Sequence, residues 1–204
     1  MSLKNKNVIC CLDLEGVLIP EMWISVAKKT RIKELEITTR EEPDYDKLMR
    51  FRLGVMKNHG IKLADVQKVI ATMSPLPGAK AFLDKLRAKY QVIILSDTFS
   101  EFAQPLMKQL DWPTLFCHTL SVDSKGFVSA YHLRQKDQKR KAVKALQGLN
   151  FYVQAAGDSY NDLTMLTSAD KGILFRTTDK IKKDYPKLPA IEEYSQLLKQ
   201  FGIK

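Results

Sequence analysis

Three apolar runs in this 204-residue sequence each stop at a group able to do polar chemistry. Val8–Leu12 leads into Asp13, residues 91–95 lead into Ser96 and Asp97, and residues 152–156 lead into Gly157 and Asp158. Taken singly, each polar residue is a candidate cap, since Asp or Ser after a strand accepts hydrogen bonds from the free N–H groups of the next helix. Taken together they mean more. In an open parallel sheet, ligands bind beyond the carboxyl ends of the strands, so Asp13, Ser96 and Asp158 are expected to meet. Two carboxylates meeting there repel unless a cation lies between them, and hard oxygen donors suit Mg2+. A hydroxyl and a lysine added to such a site describe a phosphate pocket, because phosphoryl transfer needs positioning and neutralisation of charge on the equatorial oxygens. An ionised Asp in such a pocket can serve as a covalent nucleophile, splitting the transfer into two steps through an aspartyl-phosphate.

The elements that must position these groups follow from the hydrophobic pattern. Unbroken apolar runs ending in polar residues read as fully buried parallel strands. Between them lie helical patterns, for example Ala79, Phe82, Leu83 and Leu86 at i, i+3, i+4 and i+7. Alternating strand and helix predict an α/β fold with a doubly wound parallel sheet. Residues 20–74 hold no convincing strand and read as helices broken at Glu41-Glu42-Pro43 and Asn58-His59-Gly60. The rigid Pro75-Leu76-Pro77-Gly78 marks the return to the main body, so residues 1–19 and 75–204 form the core and 20–74 a small helical cap inserted after the first strand. Residues 119–132 suggest a hairpin turning around Asp123 to Gly126.

Asp13-Leu14-Glu15-Gly16-Val17-Leu18, Ser96-Asp97-Thr98, a lysine at a helix start, and Gly157-Asp158-Ser159-Tyr160-Asn161-Asp162 resemble, in order, the four motifs of the haloacid dehalogenase superfamily. Within it the chain resembles the phosphoserine phosphatases, and the branch of bacterial bifunctional phosphoserine phosphatases and homoserine phosphotransferases above all. That branch is indicated by Glu15, by Pro20-Glu21-Met22-Trp23 and by Arg134-Gln135-Lys136-Asp137. The resemblance implies that Asp13 is nucleophile and metal ligand, that the Glu15 carbonyl and Asp158 complete the protein ligands to Mg2+, and that the Glu15 side chain is the general acid and base. It also implies phosphate contacts from Ser96, Asp97 and Asn161. Most of the superfamily has Asp where Glu15 stands, which bears on the choice between water and homoserine as acceptor.

The third-motif lysine is Lys136 or Lys139. With Asp137 as N-cap, Lys139 falls in phase with Val143 and Leu146 on the inward stripe, which favours Lys139. For Asp162 a role near the metal competes with helix capping. Further along the cap, Tyr45, Leu48, Met49, Val55 and Met56 form a stripe with Arg52 at its centre. An inward arginine needs an anion, because an unpaired buried charge is costly. A structural ion pair would serve. The resemblance implies instead that Arg52 grips the substrate carboxylate, while Glu21, unless it is merely a first-turn helix acid, binds the substrate ammonium. Trp23, Phe51 and the methionines read as packing.

Composition bounds the rest. Hydrophobic residues make up 45% and charged residues 27%, as in a globular protein that needs no disulfide. Cys10 and Cys11 are neighbours on a strand and point to opposite faces, which argues against a disulfide framework and for a reducing cytoplasm. No run is long and apolar enough for a spanning helix, and the N-terminus lacks a signal peptide's apolar stretch. The net charge of +10 invites a nucleic-acid reading, but the basic residues are scattered and read as solvated faces. The expected partners are small molecules, phosphoserine and homoserine, with no nucleic acid and no membrane, and the sequence leaves a homodimer open. A phosphatase for another small phosphate ester is the alternative, against which Arg52 and Glu21 favour an amino-acid substrate.

Overall fold

The computed structural model describes residues 7–38, 41, 42 and 44–203. Among these, the strands are β1 (Val8–Leu12), β2 (Gln91–Phe99), β3 (Thr114–Val122), β4 (Val128–His132), β5 (Tyr152–Gly157), β6 (Lys171–Phe175) and β7 (Ala190–Ile191). They form one sheet in the order β4-β3-β2-β1-β5-β6-β7, parallel except for the β3–β4 hairpin. From β1 the chain builds first to one side, through β2, and later to the other, through β5. The order therefore reverses beside β1, where a doubly wound sheet opens its ligand crevice.

The helices are α1 (Met22–Thr30), α2 (Tyr45–Asn58), α3 (Leu63–Ala71), α4 (Ala79–Arg87), α5 (Ser100–Gln109), α6 (Gln138–Gly148), α7 (Leu163–Ser168), α8 (Asp179–Asp184) and α9 (Tyr194–Gln200). Both faces of the sheet are covered. Cys10 and Leu12 of β1 join a core with Phe82 and Leu86 of α4, Phe102 of α5 and Leu197 of α9. The alternate residues Ile9 and Cys11 join a second core with Val143 of α6 and Leu163 and Leu166 of α7. Successive strand side chains point to opposite faces, so a run buried on both sides must be apolar throughout. The sequence pattern of α4 is matched by its burial, since Ala79, Phe82, Leu83 and Leu86 are its inward residues.

β2 does not stop at Leu95. It continues through Ser96, Asp97 and Thr98 to Phe99, and between Leu95 and Phe99 its register with β3 shifts. Such an irregularity re-aims side chains at a sheet's functional end. The described residues between 20 and 74 contain helices and a 3-10 turn but no strand. The expected break at Glu41-Glu42-Pro43 includes Pro43, which lies outside the described residues; next to it, Asp44 caps α2 by accepting from the Lys47 amide at 3.1 Å. The segment returns where it left, with the Leu76 amide donating to the Leu18 carbonyl at 2.9 Å. No helix among the described residues is long and apolar enough to cross a membrane.

The core makes one stability test direct. Phe82 is buried and stacks on Tyr194 at 5.0 Å between ring centroids. Phe82→Ala should cost about 3–5 kcal/mol in urea unfolding through lost burial and the cavity left behind. A cost below about 1 kcal/mol would show that α4 and α9 collapse to fill the space.

Candidate active site

The carboxyl ends of β1 and β5 lie side by side, and the Asp13 amide extends their ladder by donating to the Ala156 carbonyl at 2.9 Å. Facing them is the first turn of α6. From it the buried Lys139 ammonium reaches Asp13 at 2.9 Å, Asp162 at 2.7 Å and Asp97 at 3.7 Å. The structure thus distinguishes the two candidate lysines: Lys139 is buried among carboxylates, whereas Lys136 is exposed at the cavity's rim. Asp137 occupies the N-cap position with a left-handed backbone, φ 53°, and its side chain makes no capping bond. It pairs instead with Arg140 and accepts from the Thr164 hydroxyl at 3.1 Å. The capping role expected of Asp137 therefore gives way to side-chain partners.

Asp162 does more than cap. One oxygen takes Lys139, and the other accepts from the Asp158 and Ser159 amides at 3.0 and 3.2 Å, which fixes the turn after β5. Two glycines make the close approach possible. A Cβ on Gly157 would lie 2.5 Å from Asp162, and one on Gly16, whose φ is +75°, would lie 2.4 Å from the Asp158 carboxyl carbon.

The result is a concentration of negative charge. Carboxylate oxygens of Asp13, Asp158 and Asp162 all lie within 4.8 Å of one another. Burial, and then the charges of Asp162 and Asp158, push the Asp13 carboxyl well above its ordinary range despite the opposing pull of Lys139. Burial acts against the Lys139 charge, but Asp13, Asp162 and Asp97 outweigh it and hold the ammonium protonated.

Asp97 is organised from several directions. Gln138 Nε2 donates to its side chain at 3.0 Å and to the Ser96 carbonyl at 2.6 Å, and Asn161 Nδ2 donates to its other oxygen at 3.1 Å. Burial opposes its charge, yet Lys139, His118, Gln138 and Asn161 together hold its carboxyl well below the usual range. Tyr45, from α2, donates its hydroxyl to the Asp97 carbonyl at 2.8 Å. The Ser96 hydroxyl accepts from the Thr98 amide at 3.2 Å. Gln138, Tyr45 and His118 were not singled out as site residues. Gln138 had a signal in its helical phase, one residue before Lys139 and four before the buried Ala142, and Tyr45 lay on the α2 stripe. His118 had none, because its approach to Asp97 depends on the irregular β2–β3 register.

The same cavity, of about 680 Å3, is also lined by Glu15, Glu21, Trp23 and Arg52. Glu15 Oε2 accepts from the Met22 amide at 2.7 Å. Burial, and then Glu21 beside it, raise the Glu15 carboxyl to about 8. Glu21 stands at the N-cap of α1, but its side chain makes no capping bond. Arg52 is buried, donates to the Ile37 carbonyl at 2.7 Å and pairs with no carboxylate among the described residues; its Nε has no hydrogen-bond partner there. The structural ion pair that would account for Arg52 is not formed among the described residues.

A family model of haloacid dehalogenase-like hydrolases matches residues 9–170. The chain belongs to that family. It is 55% identical to a phosphoserine phosphatase of Pseudomonas syringae pv. tomato, over 95% of this chain and 81% of that one. It is 54% identical to phosphoserine phosphatase ThrH of Pseudomonas aeruginosa, over 95% of this chain and 94% of that one. A solved phospho-aspartyl intermediate analogue of phosphoserine phosphatase matches with a TM-score of 0.79 at 18% identity, covering 98% of this chain and all 100% of that one. That likeness speaks for the shared fold.

For a haloacid dehalogenase-like hydrolase, the donor set suits a divalent cation. Three converging carboxylates against one ammonium leave excess negative charge, and all the donors are hard oxygens. The buried cluster of Asp13, Asp158 and Asp162 thus has donors that fit a divalent cation such as Mg2+.

Two tests follow from this geometry. Gly16→Ala should cost about 1–3 kcal/mol and more than tenfold in turnover, because it strains a left-handed residue and drives a methyl into Asp158. Unchanged melting and activity would contradict that. For Glu15, the folded carboxyl titrates near 8 and the unfolded one at its ordinary lower value, so its protonation favours the fold. The contribution is complete below the unfolded value and is lost as pH rises through about 8. In chelated, metal-free enzyme, the melting advantage of Glu15→Gln over wild type should widen between about pH 5 and pH 9, whereas a constant gap would refute the assignment.

Proposed function

We propose that the protein is a magnesium-dependent phosphoserine phosphatase working through an aspartyl-phosphate on Asp13, and that homoserine can take the place of water as acceptor. The single observation that carries this reading is one cavity lined both by the Asp13–Lys139 cluster and by a buried arginine. Asp13 and Lys139 are paired in its lining, and the buried Arg52 in the same lining pairs with no described carboxylate. Such a site suits a short molecule with a phosphate at one end and a carboxylate at the other. The phosphoserine phosphatases from the two Pseudomonas species support the same donor.

In this reading Lys139 and the Ser96 hydroxyl hold the phosphoryl oxygens, Arg52 takes the substrate carboxylate and Glu21 its ammonium. Bound Mg2+ supplies positive charge against the phosphoryl group. An Asp13 carboxylate oxygen attacks phosphorus while the bond to the serine oxygen breaks, and Glu15, protonated at neutral pH by its raised pKa, gives that oxygen its proton. Serine leaves. The Glu15 carboxylate then takes a proton from water or from the homoserine hydroxyl, whose oxygen attacks phosphorus and releases Asp13. Gln138 and Asn161 hold Asp97 so that the end of β2 carrying Ser96 keeps its shape.

Residues 20–74 act as a cap that encloses the amino-acid end and lets acceptors in when it opens. Homoserine as an acceptor rests on Glu15, the longer carboxylate that marks the bifunctional branch. A cytoplasmic setting suits the free Cys10, Cys11 and Cys117.

Incubation with Mg2+ and phosphoserine, with and without homoserine, should release serine in both cases, with phosphate giving way to phosphohomoserine in the second. Release of serine at full rate in a chelator would sink the metal reading, and absence of phosphohomoserine would sink the acceptor. Asp13→Asn should fold and lose turnover by more than about 10^4, since the amide keeps the shape but not the nucleophile. Sustained turnover by that variant would exclude the aspartyl-phosphate.

A further inference from the structure

Burial draws the Arg52 pKa down to about 10, with Glu15, Tyr45 and Glu21 pulling the other way, so the guanidinium is only partly compensated. What lies against it is an aromatic face. The Arg52 guanidinium carbon sits 4.6 Å from the centre of the Trp23 ring. Trp23 comes from the first turn of α1, is buried, lines the cavity, and is held edge-on by Phe102 at 5.4 Å. Two elements therefore meet, α1 supplying the ring and α2 the cation.

All five N–H donors of a guanidinium lie in its plane. A stacked ring stabilises the cation through one face and occupies none of those donors. A neighbouring carboxylate would compensate the charge more strongly, but it would fill the very donors that a substrate carboxylate needs. In this site one donor goes to the Ile37 carbonyl at 2.7 Å, which sets the rotation of the fork, and Nη1 makes only a 4.0 Å contact to the Met49 sulfur.

We propose that Trp23 is a positioning residue for substrate recognition: its indole holds Arg52 by the face, in a buried site, so that the donors in the guanidinium plane remain for a carboxylate. The inference rests on the phosphoserine reading above, and gives Trp23 a part in specificity beyond packing. The ligand class is an anion on a short carbon chain, approaching edge-on.

Steady-state kinetics on the magnesium-loaded enzyme test it, with phosphoserine as substrate and inorganic phosphate, which has no carboxylate, as competitive inhibitor. Trp23→Leu should raise KM for phosphoserine about tenfold, with the phosphate inhibition constant and kcat within about twofold of wild type. Trp23→Phe keeps a smaller ring and should fall between, which also provides a measurement if the leucine variant fails to fold. Equal changes in KM and in phosphate inhibition would mean a packing role and overturn the proposal, as would an unchanged KM. Arg52→Ala separates the two levels. If it leaves the ratio of KM to phosphate inhibition constant untouched, the carboxylate clamp itself is wrong. If it shifts that ratio while Trp23→Leu and Trp23→Phe do not, only the role of Trp23 falls. In the Arg52→Ala background, Trp23→Leu should add nothing to the ratio, because the two residues act through one contact.

Discussion

A single buried ammonium holds the catalytic end of this protein together. Lys139 lies within 3 Å of carboxylates on two separate chain segments, Asp13 after β1 and Asp162 after β5, and has a third, Asp97, beyond them. Like charges at such distances, out of water, would drive the segments apart. The ammonium offsets only part of that repulsion, and the excess negative charge on hard oxygen donors suits a divalent cation. Much of the nearby backbone answers to this constraint. Gly16 and Gly157 remove side chains where Asp158 and Asp162 press in, and the amides of Asp158 and Ser159 share the second oxygen of Asp162.

Elsewhere in the cavity's lining the charge logic is reversed. Arg52 brings a cation into a buried place with a carbonyl, a sulfur and an indole face for company, while Glu15 and Glu21 crowd each other nearby. An acidic pair whose upper member titrates near 8 can keep a proton at neutral pH. Glu21, Trp23 and Arg52, from the segment containing α1 and α2, line the cavity together with Glu15. The segment's attachment to the sheet is also polar: Tyr45 bonds the Asp97 carbonyl, and Tyr131 of β4 bonds Asp46. One of these contacts, from Tyr45, reaches the end of β2 that carries Ser96 and Asp97.

Much of this was legible in the chain. The runs leading to Asp13, to Ser96 and to Asp158 were readable because a strand buried on both faces has no room for polar residues, so the first polar group marks its end. The phase of α6 pointed to Lys139, and the α2 stripe pointed to Arg52, because helical periodicity survives in any context. Local signals erred where chemistry competed with geometry. Asp137 had the residue type and position of a cap, yet Arg140 and Thr164 claim its oxygens.

Residue order determined which groups could reach the carboxyl edge of the sheet, since strand ends, helix phase and turn residues are local properties. Only the folded chain decided how those groups pair. The approach of His118 to Asp97, of Lys139 to Asp162, of Gly16 to Asp158 and of Arg52 to the Trp23 ring all join segments distant in sequence. Such contacts depend on strand register and on the packing of α1 against its neighbours, and no window of sequence short enough to carry a periodicity contains both partners.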